Sequence, residues 1–176
     1  MAPLSLLPAG LIVRPLSRDD SVAELTALLH RAYAGLAARG LRYLAAHQDD
    51  ERTRARATEG ECLVGILDGA LIATVTLVDA ARTGGSEWYD RGDVASFNQF
   101  CVDPALRRRG IASHLLDLIE ARARGAGARE LACDTAEQAD DLISMYGARG
   151  YRFVEYVDWR PVTNYRSVVL SKDLTR

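Results

Sequence analysis

The sequence predicts an α/β fold, a mixed central sheet with helices on both faces. Three observations predict it. Segments with strand and helix periodicity alternate in the order βααββ–β–α–β–α–ββ. An Asp68-Gly69 pair sits between two β-rich runs, which is the strongest short-range hairpin signal. Of the 176 residues, 48% are hydrophobic and 26% charged, a balance that excludes disorder, a collagen-like fibre and a coiled coil. A chain of this length can bury roughly 70% of its unfolded surface, enough for one core. No internal repeat or low-complexity linker breaks it, so one domain over residues 1–176 is expected.

Leu11 to Leu16 reads as a first strand. Ser17-Arg-Asp-Asp20 and Ser21-Val-Ala-Glu24 both fit a capping box, so a helix begins there. Val22, Leu25, Leu29 and Leu36 follow at helical spacing, with Gly35 and Gly40 as stop signals. A second, more polar helix is expected from Leu41 to Ala57. The period then changes to that of strands, at Glu61–Leu67 and Ala70–Val78 around the Asp-Gly turn. Ala80 to Gly92 reads as a loop carrying the pair Trp88-Tyr89, and Val94 to Val102 as a third β-rich run. Beyond it, a helix is expected from Ile111 to Arg124, its apolar face made by Ala112, Leu115, Leu116, Ile119 and Ala123. A short strand at Glu130–Asp134, a short helix at Gln138–Tyr146, and strand-like runs near Tyr151–Trp159 and Tyr165–Leu170 complete the chain.

Charge and cysteine usage narrow the function classes. The formal net charge of −2 provides no global basic field for nucleic acid. Positive charge is almost all arginine, with Lys172 the only lysine, and arginine suits phosphate because its planar fork donates two hydrogen bonds at once. Cys62, Cys101 and Cys133 are too few and too scattered for a disulfide framework, and no Cys/His ligand spacing predicts a metal site. They read as small buried thiols in a reducing compartment. The N-terminal run to Val13 is apolar, but it lacks a basic n-region and is interrupted by Pro3 and Pro8. No run approaches the roughly 18 apolar residues needed to span a bilayer, so a cytoplasmic protein without a membrane partner is expected.

Chemistry concentrates in Phe100-Cys-Val-Asp-Pro-Ala-Leu-Arg-Arg-Arg-Gly-Ile-Ala112, a strand, an arginine-rich turn and a helix start. Orphan N–H groups and the helix dipole make such an N-terminus attractive to anions. Gly110 allows a ligand close to the backbone, Ala112 is small, and Ser113 adds a hydroxyl. Arg107, Arg108 and Arg109 add positive charge, so the segment suits a diphosphate. It is neither GxxxxGK[ST] nor GxGxxG, which argues against P-loop hydrolysis and a dinucleotide Rossmann site.

Arg107-Arg-Arg-Gly110-Ile-Ala112 fits the [Q/R]-x-x-G-x-[G/A] signature of the GNAT superfamily of acyl-CoA-dependent N-acetyltransferases. Asn98-Gln-Phe-Cys-Val-Asp-Pro, Ala112-Ser-His-Leu-Leu and Leu142-Ile-Ser-Met-Tyr146-Gly-Ala-Arg-Gly150-Tyr151 resemble the family's neighbouring elements, and the order of elements matches over nearly the whole chain. The resemblance implies a mostly antiparallel sheet with a splayed strand pair at the coenzyme A site. Phe100, Cys101 and Val102 would hold the pantetheine arm through their backbone, and one N–H near Cys101 or Val102 would meet the reaction's oxyanion. The turn and helix start, Arg108 to Ser113 with Ile111 and Ala112, would hold the pyrophosphate, and Arg107 would add side-chain contacts. An asparagine that members often carry is absent from Ala136-Glu-Gln-Ala139, leaving Gln138 as its substitute.

Tyr146 stands where the family commonly places the general acid for the departing thiolate. A phenol of pKa about 10 donates fully to a thiolate of pKa about 8.5 only at a cost of roughly 2 kcal/mol, so a strong hydrogen bond with late transfer is the expected form. The resemblance thus implies acetyl-CoA as co-substrate, no metal, and a small-molecule or peptide amine as acceptor. The acceptor's base is open. The strand that carries a glutamate in many relatives holds Ser96, Asn98 and Gln99, leaving Glu87, Asp90, Asp93 and Glu155 as candidates by position, with Trp88 and Tyr89 as candidate pocket walls. His30, His47 and His114 are expected on the surface. Two other readings stay open: an acyl-CoA sensor of the same fold without turnover, and an unrelated α/β protein for another phosphorylated ligand. Oligomeric state is equally open, a homodimer included.

Overall fold

The computed structural model describes residues 7–176, so the reading of the apolar N-terminal run falls outside the described residues at positions 1–6. Seven strands form one sheet in the order β1-β2-β3-β4-β5-β7-β6. They are β1 (Ile12–Pro15), β2 (Glu61–Leu67), β3 (Ala70–Val78), β4 (Val94–Val102), β5 (Glu130–Ala136), β6 (Arg152–Val157) and β7 (Ser167–Asp173). Every neighbouring pair is antiparallel except β4 and β5. Among the described residues four α-helices flank the sheet: α1 (Val22–Ala38), α2 (Asp50–Ala57), α3 (Ile111–Gly125) and α4 (Asp140–Ala148).

The helices divide between the two faces, as the alternation of strands and helices predicts. Leu115, Leu116 and Ile119 of α3 and Tyr146 of α4 pack with Leu63, Ala73 and Val75 on one face. Leu25, Leu28 and Leu29 of α1 pack with Cys62 and Val64 on the other. Neighbouring strand residues thus serve opposite cores, as the two-residue period requires. Each fully buried leucine or isoleucine stabilises the fold by roughly 1.5–3 kcal/mol.

Most boundaries fall within two or three residues of expectation. Ser21, rather than Ser17, is the N-cap of α1, its Oγ accepting from the Glu24 N–H at 3.2 Å. The helix runs through Gly35, and Gly40 supplies the left-handed turn after it with φ of 79°. The expectation of a helix over Leu41–Ala57 is corrected: only Asp50–Ala57 is α-helical, preceded by a single 3-10 turn at Leu44–Ala46. The reason is local. Asp49 takes an extended backbone and caps the Arg52 N–H at 2.8 Å, restarting the chain there, while Leu41, Tyr43 and Ala45 are buried at alternate positions that no helix face would share.

Two irregularities position the site. The parallel ladder between β4 and β5 contains only Val94↔Glu130, Ala95↔Leu131 and Ser96↔Ala132, although both strands continue beyond it. The strands therefore splay from Ser96 onward, the arrangement the resemblance implies. Opposite the splay, the β3–β4 register shifts between Thr74 and Thr76, and Gln99 takes a φ of 50°. This is a β-bulge that bends β4 where the gap opens. Among the described residues no helix is long and apolar enough to cross a membrane.

Candidate active site

A cavity of about 810 Å³ occupies the splay. That volume lies within the roughly 300–1,000 Å³ usual for small-molecule sites. Its walls come from α1, residues 43–45, Arg56 of α2, β4, the start of α3, β5, α4 and the segment 159–165 before β7. Phe100, Cys101 and Val102 line it from β4, and Asn98 Oδ1 there is buried without a partner among the described residues. Arg107, Arg108, Gly110, Ile111, Ala112 and Ser113 line it from the turn and helix start. Arg109 is the one sequence-singled residue of that turn outside the cavity wall.

The α3 N-terminus is built to face an anion. Gly110 is the N-cap, with φ of 77° and no side-chain cap, and Arg108 shares the left-handed region at φ of 65°. The first N–H of this helix to find a carbonyl is that of His114, on Gly110 O at 3.0 Å. The N–H groups of Gly110, Ile111, Ala112 and Ser113 thus have no carbonyl partner among the described residues. No acidic residue lies in the first turn. Arg107 departs from expectation in part: its guanidinium donates to Ala32 O at 3.0 Å, fastening the turn to α1.

Tyr146 is buried, with its ring 6.0 Å from Phe97 and 5.6 Å from Tyr151, yet it also lines the cavity. Packing and cavity-facing roles coexist in this residue. Burial pushes its hydroxyl well above the ordinary phenol range, with the Cys133 thiol adding to the shift. The hydroxyl therefore stays protonated, and full proton transfer to a thiolate is further uphill than an unperturbed phenol would be. Burial also pushes the Cys101 thiol up, to about 12, which keeps it from acting as a thiolate nucleophile near neutral pH.

Of the cavity residues that the sequence did not single out, three bear most on the chemistry. Asp134, near the end of β5, turns its carboxylate into the cavity, where Tyr89 Oη and Trp159 Nε1 each donate to it at 3.1 Å. It is open to water in the cavity but enclosed by protein, and this burial raises its pKa above the ordinary carboxylate value. Arg56 reaches the cavity from α2, and its Nη1 donates to Gln48 Oε1 at 2.7 Å. Tyr33 of α1 donates to Phe100 O at 3.1 Å, across the splayed edge. A lone acid in the apolar run Leu131-Ala-Cys-Asp134 was a readable signal. Arg56 had none, being one arginine among many.

The base candidates chosen by position are occupied elsewhere. Glu155 accepts from Ser86 Oγ and the Trp88 N–H, Asp90 caps the Gly85 N–H at 2.9 Å, and Asp93 pairs with Arg91 at 2.9 Å. Neither these residues nor Glu87 lines the cavity. Trp88 and Tyr89 do not line it either. Tyr89 is buried and acts through its bond to Asp134, while Trp88 lies under the Arg91 guanidinium at 4.2 Å. His30 and His114 are half-buried rather than on the surface, and none of the three histidines reaches the cavity. Gln138 is exposed and off the cavity, so it does not replace the missing asparagine.

The sequence pattern of the acetyltransferase (GNAT) family matches residues 23–151, which span β4, the α3 cradle and Tyr146. The chain belongs to the GNAT family of acetyltransferases. It is 30% identical over 138 residues to S-(2-succino)cysteine N-acetyltransferase of Bacillus subtilis (strain 168), covering 77% of this chain and 81% of that one. Solved GNAT structures share the fold. The GNAT domain of S. lividans PAT has a TM-score of 0.66 at 24% identity, over 92% of this chain and 89% of its own. A GNAT family acetyltransferase from Elizabethkingia anophelis, solved with acetyl-CoA bound, has a TM-score of 0.63 at 13% identity, over 94% and 99%. As a GNAT member, this protein is an acyltransferase with the family's mixed α/β architecture. Within that architecture its β4 carries no carboxylate; of the two acids lining the cavity, Asp141 of α4 is paired with Arg39, and Asp134 stands across the gap on β5.

Proposed function

We propose that this protein transfers the acetyl group of acetyl-CoA directly to the primary amine of a small molecule. The observation that carries the reading is the run of unpartnered N–H groups at Gly110–Ser113, opening into a splay that leads past Tyr146 to Asp134. The site residues fit the nucleotide thioester: the cradle suits its diphosphate, and the unpaired edge of β4 suits its amide-bearing arm. Bound there, acetyl-CoA supplies an already activated acyl group. Asn98 Oδ1, orphaned in the wall, offers a further acceptor to that arm.

The chain's residues supply the proton handling. An alkylammonium of pKa about 10.4 costs roughly 4–5 kcal/mol to deprotonate at pH 7. Asp134 is the base, acting directly or through one water, and its raised pKa narrows that gap. Tyr146 stays protonated and donates a hydrogen bond to the leaving sulfur as the C–N bond forms and the C–S bond breaks. Burial raises the pKa of both cavity thiols, Cys101 and Cys133, which favours direct transfer over an acyl-cysteine intermediate. The named activity of the Bacillus subtilis relative, N-acetylation of a cysteine derivative, supports a small amine acceptor. The test is thiol release from acetyl-CoA across a panel of amines, alongside calorimetry with coenzyme A. Tight binding with turnover on at least one amine is expected. Binding without turnover on any amine would favour a sensor and overturn the catalytic reading.

A further inference from the structure

Resting on the reading of this cavity as the acceptor site, we propose that its acceptor is an amino acid whose carboxylate is held by Arg56. The argument begins with an uncompensated charge. Arg56 is half-buried and faces the cavity, yet forms no ion pair among the described residues. Its one hydrogen bond to the protein goes to the neutral Oε1 of Gln48 at 2.7 Å. A guanidinium has five N–H donors, so most of its fork remains open toward the cavity.

The rest of the wall shows why this arginine differs from its neighbours. Arg39 is paired with Asp141 at 3.0 Å, and Arg107 is bound to Ala32 O. Arg108 belongs to the turn that leads into α3. Arg56 is also held in place. Gln48 Nε2 donates to Thr53 Oγ1 at 2.8 Å and to Gln99 Oε1 at 2.6 Å, so the amide that anchors the guanidinium is itself fixed to α2 and to the bulge of β4. Burial lowers the Arg56 pKa, while Tyr33, Glu59 and Asp134 nearby oppose the shift. A cation desolvated and pre-oriented in this way is set up for a planar bidentate anion.

Asp134 completes the pattern. It lines the same cavity, unpaired with any cation among the described residues, and close enough to Arg56 for their charges to interact. One fixed positive group and one fixed negative group, both open to one cavity and not bonded to each other, complement a molecule carrying both an ammonium and a carboxylate. The ammonium lies toward Asp134, which takes its proton, and the carboxylate lies on Arg56. A simple alkylamine would leave the guanidinium desolvated without an anion.

The experiment compares L-amino acids of several side-chain classes with their carboxamides, which keep the amine and remove the anionic charge. Two readouts are taken: kcat/KM for acetyl transfer, and calorimetric binding to the protein saturated with coenzyme A. At least one amino acid is expected to exceed its carboxamide by roughly 10- to 100-fold in both. Arg56→Gln should abolish that preference, the amino acid losing roughly 10- to 100-fold more than its carboxamide in both readouts. Arg56→Lys should restore part of it, because lysine keeps the charge but not the fork. Equal treatment of acids and amides by the native protein overturns the proposal, as does an Arg56→Gln variant that loses both substrates in parallel. If no amine is acetylated, the catalytic reading fails. The binding comparison then still decides the Arg56 site by itself.

Discussion

Gly110→Val tests the anion cradle most directly, and the structure sets the size of both effects. At φ of 77° the position lies in the left-handed region, which costs an L-residue roughly 1–2 kcal/mol and a β-branched one more. For a chain of this length, each kcal/mol moves Tm by roughly 2–4 °C, so a drop of about 2–8 °C is expected while the protein remains folded. Ligand binding should suffer far more. Hydrogen bonds to a charged group contribute about 1.5–3 kcal/mol each. A valine side chain beside the N–H groups of Gly110 and Ile111 removes about two of them, which is roughly 10²- to 10⁴-fold in Kd for coenzyme A. Calorimetry with coenzyme A, paired with thermal unfolding of the same samples, reads both numbers. A folded valine variant with native affinity would refute the cradle.

Four other outcomes follow from the structure. Asp134→Asn should lower kcat/KM by roughly 10²- to 10⁴-fold and remove the acidic limb of its pH profile. Because the folded pKa of Asp134 is raised, native stability should fall as pH rises from the ordinary carboxylate value through the raised one; Tm measured against pH should lose that slope in the asparagine variant. Tyr146→Phe keeps the ring among Phe97 and Tyr151, so steady-state kinetics should show kcat reduced by about 10²-fold or more with KM for acetyl-CoA nearly unchanged. Leu115→Ala, at a position with 0% exposure, should destabilise the fold by roughly 2–5 kcal/mol, read from denaturant unfolding.

The halves of the site differed in how much the sequence disclosed. The proposed nucleotide half lies in one continuous stretch, where β4 feeds α3 through Arg107–Gly110. A glycine at a helix start beside arginines carries its physical meaning locally, so it is readable without coordinates. The acceptor half is assembled by tertiary contact. Arg56, Asp134 and Trp159 are far apart in the chain and meet only because β5 departs from β4 after Ser96. Sequence proximity therefore pointed to Glu87, Asp90, Asp93 and Glu155; none of them lines the cavity, and the last three serve structural bonds instead. The helix expected over Leu41–Ala57 failed for a similar reason. Polar composition is shared by helices and capped loops, and burial of Leu41, Tyr43 and Ala45 against other parts of the fold decided between them.

The cavity's two ends also inherit change differently. The residues proposed to grip the nucleotide belong to one short run of chain, so an exchange there would touch the shared chemistry directly. The opposite end draws on α1, α2, β5 and the segment before β7. Of these only α1 is tied to the cradle turn, through Ala32 O and Arg107; the others can be altered with no bond to that turn disturbed. Retuning such a molecule toward a new amine is therefore a matter of editing scattered single positions, beginning with 56 and 159, rather than rebuilding a loop.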